Sequence, residues 1–143
     1  MDIFDPQMRS RVMSSVKRKN TSPELKVRGL LWNLGFRYRL HAAELPGKPD
    51  IVFRKRRKAI FVHGCFWHGH DNELCRKAKR PNSRRDFWDK KLDKNIARDR
   101  VNEAALIELG FSVLVLWECD LKDTRSVKAR LIDFLKGEQV VAD

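Results

Sequence analysis

The amino-acid sequence predicts an α/β domain, with helices packed around a central mixed sheet. Three observations predict it. Two short β-branched runs, residues 50–53 and 59–62, flank the basic stretch Arg54-Lys55-Arg56-Arg57-Lys58 and read as a hairpin. A near-continuous apolar run over 111–117 reads as a central strand buried on both faces. A long charged helix separates the hairpin from that strand, and a connection of that length lets the strands it joins run parallel.

The elements follow in order. Residues 1–20 are polar and basic (Arg9, Arg11, Lys17, Arg18, Lys19) and read as an arm that orders on a partner. Thr21 with Glu24 three residues on forms a capping box, and Pro23 suits a first helical turn. Val27, Leu30, Leu31 and Leu34 then repeat at helical spacing up to Gly35, which predicts a helix over 22–34. Residues 36–40 read as a short strand, and Leu45-Pro46-Gly47-Lys48-Pro49 as a loop before the hairpin. The segment 63–85 shows no period and is dense in Cys, His, Lys, Arg and aromatics. An irregular stretch that long inside a compact domain is functional or held by something. Asp86 is positioned to cap the long helix to about 109, with Gly110 at its end. The last helix, about 124–136, places Val127, Leu131, Phe134 and Leu135 on one side. Trp32 and Trp117 fall on apolar elements and read as core.

All 143 residues fit a single domain. A hydrophobic fraction of 42% supports a packed core and excludes a disordered basic tail. Lys and Arg number 31 against 19 Asp and Glu, a formal charge of +12 that suggests a polyanion partner, most often nucleic acid, although a ribosome-like basic surface would look the same. Three cysteines, an odd count, argue against a secreted disulfide framework. The first residues carry no signal-peptide pattern and no apolar run spans a bilayer, so a cytoplasmic protein with reduced thiols and no membrane partner is expected.

Two constellations carry chemistry. Cys65, His70 and Cys75 are spaced C-x4-H-x4-C, and Cys119 follows the apolar strand. Together they make a Cys₃His set of the kind that holds structural Zn²⁺, with His63, His68 and Asp71 as rival ligands. The other reading makes Cys65 and Cys119 small buried apolar residues. Separately, Pro49-Asp50 enters one hairpin strand, and the next ends at Phe61-Val62-His63. Metal-dependent nucleases often place a Mg²⁺-binding carboxylate at such a junction. The second acid and the lysine of the PD…(D/E)-x-K pattern are absent, but His63 and His68 can move protons near neutral pH. Glu24 could orient one of them or a water, although the capping box already explains it. Phe66-Trp67 and Phe87-Trp88 lie among basic residues. They suit wedging or stacking against bases, while Phe87 and Trp88 could equally pack the start of the long helix. The Lys and Arg of 54–58, 76–80 and 84–85 suit phosphate contacts.

Leu45-Pro46-Gly47-Lys48-Pro49-Asp50, His63-Gly64-Cys65-Phe66-Trp67-His68-Gly69-His70, Phe87-Trp88-x-x-Lys91, Asn95-x-x-Arg98-Asp99 and Trp117-Glu118-Cys119 together resemble the very short patch repair (Vsr) endonucleases, over about residues 8–121. The resemblance implies a restriction-endonuclease-like three-layer fold with a zinc-held loop. It implies a strand-specific nickase that cleaves double-stranded DNA 5′ of the mismatched T in T:G mismatches left by 5-methylcytosine deamination. On this resemblance Asp50 and the Val62 carbonyl bind Mg²⁺, and His63 and His68 are catalytic. His68 is the water-activating base, with Glu24 assisting, and Asp99 supports a histidine. Cys65, His70, Cys75 and Cys119 bind Zn²⁺. Phe66, Trp67, Trp88, Arg84, Arg85, Lys91 and Asn95 contact DNA. Downstream repair proteins are implied partners, and the chain is expected to act as a monomer. Two departures stand out: the family often has a shorter gap after the zinc histidine, and often has Thr where this chain has Val62. The rival readings are a zinc-stabilised DNA-binding module without catalysis, and a related nuclease that cuts matched DNA.

Overall fold

The computed structural model describes residues 20–72 and 74–137; the arm over 1–19 lies outside them. Helix α1 spans Ser22–Asn33. Thr21 caps it by accepting the Glu24 N–H at 3.3 Å. Gly35, at φ 91°, ends it. The Gly35 N–H bonds the Trp32 carbonyl and the Phe36 N–H bonds that of Leu31, the paired closure a left-handed glycine allows.

Strand β1 is only Arg39–Leu40, shorter than the 36–40 predicted, because Phe36 and Tyr38 turn edge-on to Phe53 instead of extending the ladder. Strands β2 (Ile51–Phe53) and β3 (Lys58–His63) form the predicted hairpin. Helix α2 (Arg85–Glu108) leads to β4 (Ser112–Trp117), which pairs with β3 in parallel. A short 3-10 turn, Glu118–Lys122, precedes α3, Thr124–Lys136. The sheet order is β1-β2-β3-β4, antiparallel except for the last pair. The fold is therefore α/β with a mixed sheet, as the crossover length requires.

Alternation along the strands builds a core on each face. Ile60, Val62 and Leu116 point to one face, where Val27 and Leu31 of α1 and Val127, Leu131 and Leu135 of α3 cover them. Ala59 and Phe61 point to the other, against Leu106 of α2, with Phe111, Val113 and Val115 alongside. Among the described residues this gives three layers, with α2 alone on its face.

Two expectations are corrected. Arg84, at φ 55°, takes the N-cap position of α2, so Asp86 falls in the first turn, where its charge still suits the helix dipole. Trp32 is not core: it is 55% exposed, one residue off the buried stripe of Val27 and Leu31, and the Arg37 guanidinium lies 3.4 Å over its ring. Trp117 is partly buried, stacked on His70. Among the described residues, no helix is long and apolar enough to cross a membrane.

Candidate active site

Pairing brings the functional residues to one end of the sheet. His63 pairs with Trp117 where the parallel strands β3 and β4 finish. Strand β2 runs the other way, so Asp50 enters at the same end, and its carboxylate accepts the Val62 N–H at 2.7 Å. Ligands in open α/β sheets bind beyond such strand ends.

Burial pushes the Asp50 carboxyl up to about 7; the Val62 N–H opposes this, and the neighbouring Glu24 adds to it. Glu24, on α1, is 1% exposed. Only half of the predicted capping box forms, because Glu24 does not bond back to Thr21. Its Oε1 accepts the Asn20 N–H at 3.2 Å, while Oε2 pairs with the Arg28 guanidinium and lies 2.9 Å from His41 Nε2. Glu24, His41 and Asp50 each place a ligand atom within 4.8 Å of the others. Two buried carboxylates side by side repel, and a hard divalent cation relieves that repulsion, so this donor set fits such an ion. The contact seen between Val62 and Asp50 runs through the Val62 N–H rather than its carbonyl.

The histidines form a second group beside the first. The rings of His63 and His68 stack at 3.8 Å and 3°. Burial, reinforced by His68, pushes His63 down to about 3, so its imidazole is neutral at pH 7. His68 Nδ1 lies 2.7 Å from Asp99 Oδ2 on α2. With Nδ1 donating to that carboxylate, Nε2 is left to accept a proton, the arrangement of an oriented general base.

Cys65, His70, Cys75 and Cys119 also converge within 4.8 Å, and Asp71 stands exposed outside the cluster. The Cys119 N–H donates to Cys65 Sγ at 3.4 Å, and Cys119 Sγ lies 3.5 Å from His70 Nδ1. Three sulfurs and one imidazole nitrogen are the donors of a tetrahedral zinc site, and the cluster can hold such an ion. Cys75 reaches the cluster with its N–H bonded to the Asn72 carbonyl at 2.9 Å, and a 3-10 turn follows at Arg76–Ala78.

The aromatics make one cluster. Phe66 and Trp67 meet at 5.1 Å, and Trp88 contacts them at 5.3 Å and 6.1 Å. Trp88, expected at the DNA, is only 8% exposed and forms the floor beneath Phe66 and Trp67, while Phe87 is 40% exposed. Asn95 is likewise occupied within the protein, donating to the Trp67 carbonyl at 2.9 Å. Arg84 lies over the Phe87 ring, Arg85 pairs with Asp89, and Lys91 is partly buried on α2. Arg80 bridges Asp89 and Asp93.

Sequence reasoning missed His41 and Arg28. The available signal was the ladder itself: Leu40 pairs with Ile51, so His41 comes opposite Asp50.

The chain is similar to known proteins over most of its length. The family model for the DNA mismatch endonuclease Vsr matches residues 1–74. The Type II nicking enzyme V.XorIIP of Xanthomonas oryzae pv. oryzae is 49% identical over 134 residues, covering 94% of this chain and 96% of its own. V.NmeAIP, a Type II nicking enzyme of Neisseria meningitidis, is 46% identical over 130 residues, 91% of each chain. The DNA mismatch endonuclease Vsr of Escherichia coli is 38% identical over 142 residues, 96% of this chain and 89% of its own. With the carboxylates, the histidines and the Cys₃His cluster arranged as described and relatives matching almost end to end, the chain belongs to the Vsr family of DNA mismatch endonucleases.

Proposed function

We propose that this DNA endonuclease nicks one strand of duplex DNA 5′ of the T in a T:G mismatch, in a Mg²⁺-dependent hydrolysis that begins short-patch repair. The observation that carries the reading is the convergence of Asp50, Glu24, His63 and the His68–Asp99 pair at one sheet end. Asp50 and Glu24 would hold the cation, with the Val62 carbonyl as a further ligand. A divalent cation held there would supply polarisation of a phosphoryl oxygen and a lowered pKa for a bound water. His68 Nε2 takes a proton from the attacking water while Asp99 steadies the imidazole. The water oxygen bonds to phosphorus as the P–O3′ bond breaks, and the departing O3′ oxyanion takes up a proton from solvent water, leaving a 5′-phosphate and a 3′-hydroxyl. His63, neutral and fixed by the stack, contacts the phosphate being cut. Phe66 and Trp67 stack against bases beside the mismatch, with Trp88 as their support. Cys65, His70, Cys75 and Cys119 would hold a structural Zn²⁺ that fixes the loop carrying His68 and these aromatics.

The test is a panel of T:G and matched duplexes in Mg²⁺. Nicking confined to the T-containing strand of T:G duplexes is expected, and Asp50→Ala should lose at least about 10³-fold in rate while still binding the duplex. Equal cutting of matched DNA would favour the related-nuclease reading. Binding without any cutting would favour the DNA-binding module.

A further inference from the structure

His41 lies outside every motif used above, yet the sheet carries it to the centre of the site. Its backbone N–H bonds the Asp50 carbonyl at 3.1 Å, extending the β1–β2 ladder by one pair. It does so at φ 47°, a left-handed conformation uncommon for a residue with a side chain and one that recurs at functional sites. The imidazole then turns toward α1, where Nε2 lies 2.9 Å from Glu24 Oε2.

We propose that His41 is a positioning residue for the cation-binding carboxylates, holding Glu24 against Asp50 through the Nε2–Oε2 hydrogen bond. This rests on the function proposed above. The need for a clamp is physical. Glu24 has three rotatable side-chain bonds, and once Asp50 gives up its proton to hold a cation the two carboxylates repel, so an untethered Glu24 would swing away. Two side chains prevent this: Arg28 from within α1 and His41 from across the sheet. Arg28 is in turn held, with Nη2 donating to Asn20 Oδ1 at 2.5 Å. Among the described residues, His41 is the side chain that ties Glu24 to the strand paired with β2, and so helps to set the separation of the two carboxylates. His41 acts through Glu24 rather than as a metal ligand, because Nε2, the ring nitrogen turned to the site, is already engaged with Glu24 Oε2.

The experiment compares His41→Asn with His41→Gln in the zinc-loaded full chain. Asn tolerates the left-handed backbone but is too short to reach Glu24; Gln reaches and donates. Mn²⁺ binding followed by electron paramagnetic resonance is the first readout, and the Mg²⁺ concentration for half-maximal nicking is the second. His41→Asn should weaken Mn²⁺ binding and raise the Mg²⁺ midpoint by about tenfold, the lower range for removing a group that orients a ligand, with a smaller loss of rate at saturating Mg²⁺. His41→Gln should stay close to wild type in both. Unchanged binding in His41→Asn overturns the proposal, and so does a His41→Gln as weak as His41→Asn, which would mean the imidazole itself is required. A failure of the underlying function would show separately, as normal nicking by Asp50→Ala.

Discussion

Asp50 has to be ionised to hold a cation, yet its surroundings favour the proton. Burial and the adjacent Glu24 bring its carboxyl to about 7 when no ion is bound. Below that pH the ion must displace a proton; above it the carboxylate is already free. The Mg²⁺ concentration for half-maximal nicking should therefore fall by up to about tenfold per pH unit between pH 5 and 7, then level off. Nicking measured over a Mg²⁺ series from pH 5.5 to 8.5 checks this, and a midpoint that does not move below pH 7 would contradict it. His63 behaves oppositely, since burial keeps it neutral throughout that range. Asp50 and His63 were visible as candidates because each sits at a strand–loop junction. Their protonation was not visible, because it depends on neighbours from α1 and the loop after β3. Glu24 shows the limit most clearly: its spacing from Thr21 identified the helix start, but its carboxylate turns to Asn20, Arg28 and His41 rather than back to Thr21.

The hairpin tip changes meaning once the helices are placed. As a sequence, Arg54-Lys55-Arg56-Arg57-Lys58 looks like a phosphate-binding patch. In the fold, much of it serves helix C-termini. Arg56 Nη1 donates to the Leu135 carbonyl at 2.9 Å, and Lys58 Nζ donates to those of Phe134 and of Gly137, the latter at 2.8 Å. Arg57 Nη1 donates to the Leu109 carbonyl at 3.1 Å, and Arg54 pairs with Glu44. Cations there satisfy the last carbonyls of α2 and α3 and match the negative ends of their dipoles. Lys58 is only 4% exposed, so Lys58→Met would take the Nζ donor from the Phe134 and Gly137 carbonyls. It should cost roughly 1–3 kcal/mol of stability in chemical denaturation, with DNA affinity close to wild type. A large loss of DNA affinity with unchanged stability would return the tip to the DNA surface. Periodicity found α1, α2 and α3 within a residue or two, because caps and apolar spacing are local. It could not show which carbonyls those helices would present to the hairpin.

For the whole molecule, the Cys₃His cluster joins distant parts of the chain. Cys65, His70 and Cys75 belong to the loop after β3, and Cys119 to the turn after β4. The loop also carries His68, Phe66 and Trp67, so an ion held by the cluster would steady these three side chains together. About one zinc per chain is expected by elemental analysis. Cys119→Ser should lose most of it, with a lower Tm and weaker nicking. A fully folded, active chain free of zinc would remove the cluster from this role. By itself the sequence determined the helices, the hairpin, the parallel crossover and the local ligand spacings, since each follows from chain-local sterics, capping and connection length. Tertiary structure alone decided that His41 stands opposite Asp50, that Trp88 supports Phe66 and Trp67, that Trp32 lies outside the core and that the hairpin tip serves helix ends. Those facts depend on strand register and on which helix face meets the sheet, and both are set by packing between residues far apart in the chain.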